Sequence, residues 1–412
     1  MRRATLPLSA SLIALVLAAC TDTTQPSAPL RPGRAAHELA DGDDDAKLDV
    51  PLSGLTSTEL DRFNRGREVF NRVFTPANGL GPSFNSAACA SCHEEPSTGG
   101  IGDDLDEDVE THVSVMSGGT CDDLAAVGGP VIQHHTTNLL QAQYPGMESE
   151  AMPPAAGTNV AHRSTPALFG FGLIDAIPAS AIEALADPND ANGDGVKGRV
   201  SRANGELARF GRKATDATLL GFNAGAFQNE IGITSSVAVA EQRLVGVDFP
   251  FTALVSPTSG PELSDDDLSL ATDFVRFLRP PPRGKSTTQS NDGRELFSSI
   301  GCATCHVPAM KTGPSAVRAL NNVKVEAFTD LLLHDMGPGL ADICRGNALP
   351  SEFRTEPLMG LRFRNHYLHD ARSASLDDAV LQHGGEASRA RDRFKGMSLN
   401  QRAALMAYLN TL

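Results

Sequence analysis

Gly66-Arg67-Glu68-Val69-Phe70, then Cys89-Ala90-Ser91-Cys92-His93, returns later in the chain as Gly293-Arg294-Glu295-Leu296-Phe297, then Cys302-Ala303-Thr304-Cys305-His306. Two further features keep the same order. Each Cys-x-x-Cys-His is followed downstream by an Arg and, three residues on, a Pro: Arg163-Ser164-Thr165-Pro166 and Arg354-Thr355-Glu356-Pro357. Each unit closes on an amphipathic helix pattern. Ser264-Asp265-Asp266-Asp267 is a capping-box variant ahead of Leu268, Ala271, Val275 and Leu278 on one face. Ser398-Leu399-Asn400-Gln401 is a capping box ahead of Leu405, Leu409 and Leu412. Four features in one order imply a duplicated domain. Pro280-Pro281-Pro282 and the polar run to Ser290 cannot continue a helix and mark the boundary.

A c-type haem is held by thioether bonds from two cysteines, and the histidine that follows them coordinates the iron. The two-residue spacing sets both sulfurs over one porphyrin edge. A zinc site or a redox Cys-x-x-Cys is the competing reading of one such string. Two copies, each after the same Gly-Arg-Glu-x-Phe helix, point to two haems on Cys89, Cys92 and His93 and on Cys302, Cys305 and His306. The expected fold is mainly α, with two cytochrome-c-like domains over residues 51–282 and 283–412. The first carries long insertions, 97–160 and 179–262, whose Gly- and Asn-rich composition reads as loop.

Upstream, Arg2 and Arg3 precede an apolar stretch, Leu6 to Leu17, too short for a stable membrane span. Leu17-Ala18-Ala19-Cys20 resembles the lipobox of bacterial lipoproteins, which gives a leader over 1–19 and a lipid on Cys20; an ordinary leader cut near Ala19 is the other reading. Thr21, rather than Asp, leans towards the outer membrane. Residues 20–50, polar and rich in Thr, Pro, Ala and Asp, read as a flexible tether. The expected location is periplasmic and lipid-anchored. The chain of 412 residues carries a net charge of −15, or −17 once Arg2 and Arg3 leave with the leader. That argues against nucleic acid as partner and suits a basic electron donor, although acidic surfaces also simply keep exported proteins soluble.

Of seven cysteines, Cys20 and the four haem cysteines leave Cys121 and Cys344. They form one disulfide between the domains or stand as two buried thiols. The second axial ligands decide whether each haem carries electrons or binds a substrate. Composition does not single them out among 11 histidines.

Longer strings carry a family resemblance. They are Arg163 to Ile174 (RSTPALFGFGLI), Asn229-Glu230-Ile231-Gly232-Ile233-Thr234-Ser235, Leu333-His334-Asp335-Met336-Gly337, Tyr367-Leu368-His369-Asp370 and Gln382-His383-Gly384-Gly385-Glu386-Ala387. Over about residues 55–412 the chain resembles the bacterial di-haem oxidoreductases, also described as thiol oxidoreductases, which are related to the di-haem cytochrome c peroxidases. In the peroxidases the second haem takes a Met soon after a Tyr/Phe-x-His-Asp-Gly segment. The chain has His383 at that place, so the resemblance implies His306/His383 ligation, with Met336 the alternative ligand and a merely hydrogen-bonding His383 the bland one. Two imidazoles would lower the potential relative to His/Met. Glu230-Ile231 stands where the peroxidases place a Glu-Met pair near the open iron of the first haem. A carboxyl there could move a proton between peroxide oxygens; a buried or capping Glu is the alternative. Arg163 and Glu230 are the candidate catalytic residues. For the first haem's far side, His112, His134 and His135 are loose candidates and an open position is expected. The peroxidases are similar in placing a Trp between the haems; this chain has no Trp.

Asp190-Ala191-Asn192-Gly193-Asp194-Gly195 matches the opening of an EF-hand loop, with oxygen donors at positions 1, 3 and 5 and Gly at 6. Position 12 is Ser201 rather than Glu, so a carboxylate from Glu206 or Asp187 would have to substitute; a plain Asx/Gly turn competes. Three functions follow from these motifs. In the first, the second haem takes up electrons and the first reduces peroxide or activates oxygen. In the second, both irons are six-coordinate and the protein is a pure electron carrier. Thiol oxidation is the third and has weak physical support, because haem attachment consumes the Cys-x-x-Cys sulfurs.

Overall fold

Thr56 starts the first helix, Ser57–Phe70: its hydroxyl accepts from Glu59 N–H and the Glu59 carboxylate accepts from Thr56 N–H in return. Ser264 caps the helix Asp265–Phe277, whose first turn carries three Asp against the helix dipole. These two helices pack face to face through Gly66, where a Cβ would sit 2.0 Å from Leu270 O. The repeat does the same. Thr287 caps Thr288–Ser299 and Ser398 caps Leu399–Leu409, and a Cβ on Gly293 would sit 2.0 Å from Ala404 O. The motif's Phe then meets an aromatic on the second helix: Phe70 and Phe274 at 4.9 Å, Phe297 and Tyr408 at 5.5 Å between ring centroids. The Gly-Arg-Glu-x-Phe string thus encodes a close helix crossing and the aromatic that seals it.

The computed structural model describes residues 48–412 except 103, 106, 107, 155, 156 and 259; the leader, Cys20 and the tether up to residue 47 lie outside the described residues. Residues 48–50 already belong to the fold. Leu48 is buried, Asp49 pairs with Arg67 at 3.1 Å, and Val50 O accepts from Arg279 N–H.

The expectation of a mainly α fold is overturned. Helix covers 32% and strand 14% of the structure, and the strands form several small antiparallel sheets. The insertion over 97–160 holds the largest of them. Its strand Val109–Ser117 pairs with Thr120–Asp122, Val131–Ile132 and Asn159–Ser164. The stretch hid from periodicity because Thr111, His112, Val113 and Ser114 are all buried, leaving no in–out alternation. Its polar members are buried by pairing: His112 with Glu110 at 2.7 Å, Ser114 Oγ with Cys344 N–H at 3.1 Å. The insertion over 179–262 holds the helix Leu219–Glu230, capped by Thr218, and a hairpin of Ser201–Ala203 with Glu206–Ala208.

The described residues belong to one compact unit. Ion pairs cross between the two halves of the repeat: buried ones from Arg163 to Asp342 at 2.8 Å and Lys213 to Asp342 at 2.7 Å, and a part-buried one from Arg199 to Glu352. Cys121 and Cys344 are joined in a disulfide across the same boundary.

Candidate functional site

In the second half, Gly301 (φ +102°) ends the helix run and lets the turn Cys302–Thr304 fold back on it. His306 follows, with Phe297 6.5 Å away and its Nδ1 2.9 Å from Phe328 O. A carbonyl only accepts, so that nitrogen carries the proton and Nε2 is left bare, the tautomer a metal ligand needs. Burial pushes His306 down to about 4, so the ring is neutral at pH 7. His383 has the same arrangement: Nδ1 donates to Ala379 O at 2.7 Å and burial lowers its pKa. Both rings line one cavity of about 330 Å³ together with Cys302, Cys305, Phe297 and Leu405. Met336 also lines it.

His334, in the same wall, is a different kind of histidine. Its Nε2 lies 2.8 Å from Asp330 and its Nδ1 2.8 Å from Glu386. Burial alone would lower its pKa, but hydrogen bonds to Asp330, Cys305 and Glu386 outweigh it and carry it to about 12. An imidazolium with both N–H groups donated has no lone pair for iron.

In the first half, Cys89–Cys92 forms a single helical turn. His93 donates Nδ1–H to Gly100 O at 3.1 Å, the Pro166 carbonyl also lies against the ring, and Phe70 is 5.9 Å away. Burial lowers its pKa. The four unpaired thiols are half-buried. Desolvation pushes Cys89 and Cys302 to about 12, so neither is a ready thiolate, which counts against a thiol-redox pair. Four neutral thiols in two Cys-x-x-Cys-His turns, with ligand-ready imidazoles beside them, fit covalent haem.

Glu230 ends the helix Leu219–Glu230. Its carboxyl accepts from Asn85 Nδ2 at 3.0 Å, and its backbone carbonyl accepts from Asn85 and Ser86 N–H. Burial, with the neighbouring charge of Glu110, holds it well above the ordinary carboxylate range. Asn85 and Ser86, which bond its carbonyl, lie just ahead of Cys89, so Glu230 stands beside the first Cys-x-x-Cys-His, and its charge helps raise the Cys89 and Cys92 thiols. Glu110 was not singled out by sequence. Burial opposes its ionisation, yet the hydrogen bond from His112 and the charge of Arg163 keep its pKa low. Burial and Arg163 push His112 down to about 4, so it is neutral, and its buried Nδ1 has no hydrogen-bond partner. Two carboxyls shifted in opposite directions, Glu230 up and Glu110 down, therefore stand beside the Cys89–His93 turn. The buried charge on a strand is what sequence could have flagged; only the sheet explains it. Arg163 also lies here, but its Nε and Nη2 both go to Asp342, so it is a bridge between halves before it is anything else. His134 Nε2 lies 3.1 Å from Thr111 Oγ1, and exposed His135 packs on Phe84.

The Asp190–Gly195 loop closes on itself. Asp190 Oδ1 accepts from Gly195 N–H, Asn192 Oδ1 from Asp194 N–H, and Asp194 Oδ1 from Val196 N–H, all at 2.9–3.0 Å. Asp187 accepts from Ala191 and Asn192 N–H. Ser201 turns away and donates to Asn347 Oδ1, so it supplies nothing to the loop. Arg389 and Glu386, from the segment after His383, bond Asp194 O and Lys197 N–H.

Residues 156–412 match the family model described as "Di-haem oxidoreductase, putative peroxidase", a span that includes Cys302 to His306, Glu230 and His383 and begins after the first haem motif. No curated protein matches the chain. Among solved structures, hydrazine synthase of Kuenenia stuttgartiensis is 14% identical with a TM-score of 0.40, covering 98% of this chain and 100% of that one. A MauG-like protein associated with microbial copper homeostasis is 14% identical with a TM-score of 0.36, covering 90% of this chain and 95% of that one. Superpositions at these scores do not establish a shared fold.

Proposed function

The chain belongs to the di-haem oxidoreductase family, and from that premise we propose that it is an exported enzyme in which a second haem takes up electrons and a first haem reduces peroxide or activates oxygen. Haem is attached through Cys89 and Cys92 and through Cys302 and Cys305. The observation that carries this reading is the shared orientation of three imidazoles: His93, His306 and His383 each give Nδ1–H to a main-chain carbonyl, the arrangement that orients a ring for metal ligation. His306 and His383 face one cavity, which suits a six-coordinate, electron-carrying centre. At the His93 turn the neighbouring acids are Glu110 and Glu230. Haem supplies one-electron chemistry and, where an axial position is open, a place for peroxide or oxygen. Glu230, whose carboxyl is biased by burial towards the protonated form, would give and retake a proton beside that place. The Asp190–Gly195 loop would hold calcium through Asp190, Asn192 and Asp194, and Cys20 would anchor the mature chain in the outer membrane, within reach of a periplasmic electron donor.

A visible spectrum of protein made in a cytochrome-maturing host tests the assignment. One high-spin haem that shifts with cyanide and peroxide, beside one inert low-spin haem, is expected. Two inert low-spin haems would make the protein a pure electron carrier.

A further inference from the structure

Resting on the haem reading above, we propose that Arg212, Arg354 and Arg364 form the seat for the two carboxylates of the second haem's porphyrin. All three line the cavity that holds Cys302, Cys305 and His306. They reach it from separate segments: Arg212 from the insertion in the first half, Arg354 from the end of the strand Glu352–Arg354, and Arg364 from just beyond the turn Leu361–Phe363. Their side chains are 12%, 4% and 15% exposed, so their charges are poorly hydrated.

One carboxylate serves all three. Glu356 Oε2 lies 2.9 Å from Arg354 Nη2 and 4.0 Å from Arg212 Nη1, and its Oε1 lies 3.7 Å from Arg364 Nη2. Three guanidinium groups around one carboxylate leave two positive charges unmatched. Buried charge in that excess is costly unless an anion completes it. The remaining hydrogen bonds fix two of the forks in place: Arg354 Nε on Gly211 O, Arg354 Nη1 on Thr355 O, and Arg212 Nη2 on Ser164 O. Arg364 Nε is buried with no partner, an N–H that a ligand must satisfy. The other arginines of the cavity wall are engaged elsewhere: Arg389 on Asp194 O, Arg391 on His383 O and Asp392, Arg393 on Ile300 O. The missing partner therefore carries two negative charges at one edge and is apolar over the rest. A porphyrin with two propionates meets that description, and guanidinium is the side chain that binds carboxylates in forked pairs.

The test uses the haem-loaded protein and the substitutions Arg364→Gln, Arg212→Gln and Arg364→Lys. Intact mass counts attached haems, resonance Raman reads the propionate-bending bands, and a redox titration reads the low-spin potential. Both haems should remain attached in every variant. In the Gln variants the propionate bands should shift and the low-spin potential should fall, because a cation near the iron is gone; Arg364→Lys should restore the potential. Arg364→Gln, the most exposed of the sites, carries the test should Arg212→Gln fail to fold. Two attached haems with unchanged bands and potential in both Gln variants would overturn the proposal while leaving the haem reading intact. So would wild-type bands that ignore the substitutions but follow added phosphate, since the seat would then take a free anion. Protein without covalent haem would instead sink the haem reading, and this inference with it.

Discussion

Gly293 sits against Ala404 so closely that a single added methyl would meet the Ala404 carbonyl oxygen at 2.0 Å. The contact is with backbone, which cannot swing aside. Gly293→Ala should therefore force the helices Thr288–Ser299 and Leu399–Leu409 apart, at a cost of about 1–3 kcal/mol. Gly225, mid-helix in Leu219–Glu230, is the control: its nearest atom is Asn229 Nδ2 at 3.8 Å. Gly225→Ala should be neutral or stabilise by roughly 0.5–1 kcal/mol. Denaturant midpoints of the two variants check this, and equal midpoints would show that the crossing is not tight.

The same pair explains what sequence could and could not reveal. The caps at Ser264 and Ser398 are legible because a hydroxyl three residues before a free N–H is a local signal. The two Cys-x-x-Cys-His strings are legible because the whole signal lies in a fixed local spacing. The sheet around Val109–Ser117 was not, since its burial on both faces depends on partners far along the chain, such as Ser164 and Cys344. Glu110 was lost with it. The arginine cluster was also invisible, for its three members meet only after residues 212, 354 and 364 converge on Glu356.

Cys121 and Cys344 are 223 residues apart, so their bond closes a long loop in the unfolded chain. Loop-closure entropy sets an upper limit of about 5 kcal/mol on its stabilisation. The bond also pins the segment that carries Asp342, the carboxylate shared by Arg163 and Lys213. Cys121→Ser/Cys344→Ser should lower the unfolding midpoint markedly while both haem motifs still load. A double variant as stable as the parent would mean that Ser114 and the ion pairs hold that segment unaided.

Glu150 is buried, and its Oε1 has no hydrogen-bond partner. Burial pushes its pKa from 4.5 to about 8, although Gln133 N–H pulls the other way. The fold thus tolerates the neutral acid and resists the anion. Its contribution is complete below pH 4.5 and is lost as pH climbs through about 8, with a slope of up to about 1.4 kcal/mol per pH unit. Glu150→Gln, which mimics the neutral acid, should flatten the fall in stability between pH 5 and 8. Parallel pH–stability curves for parent and variant would place the ionised carboxylate in a better-solvated site.

Calcium should raise the melting temperature if the Asp190–Gly195 loop binds it, since a ligand at one hundred times its Kd adds about 2.7 kcal/mol. Asp190→Asn/Asp194→Asn should abolish the shift without altering haem content. Because Arg389 and Glu386 tie this loop to the segment after His383, chelation should also change the low-spin haem's spectrum. A melting temperature indifferent to both calcium and chelator would leave the loop as a hydrogen-bonded turn.

His383 and Met336 line the same cavity and compete for the role of second ligand to the haem proposed on His306. The hydrogen bond from His383 Nδ1 to Ala379 O favours the imidazole, because it orients the ring and leaves Nε2 bare. A thioether stabilises ferrous iron relative to an imidazole. His383→Met should therefore raise the low-spin potential, and Met336→Leu should leave it in place. Spectroelectrochemical titration reads both. A potential moved by Met336→Leu and untouched by His383→Met would hand the iron to the methionine and leave His383 a hydrogen-bonding residue in the cavity wall.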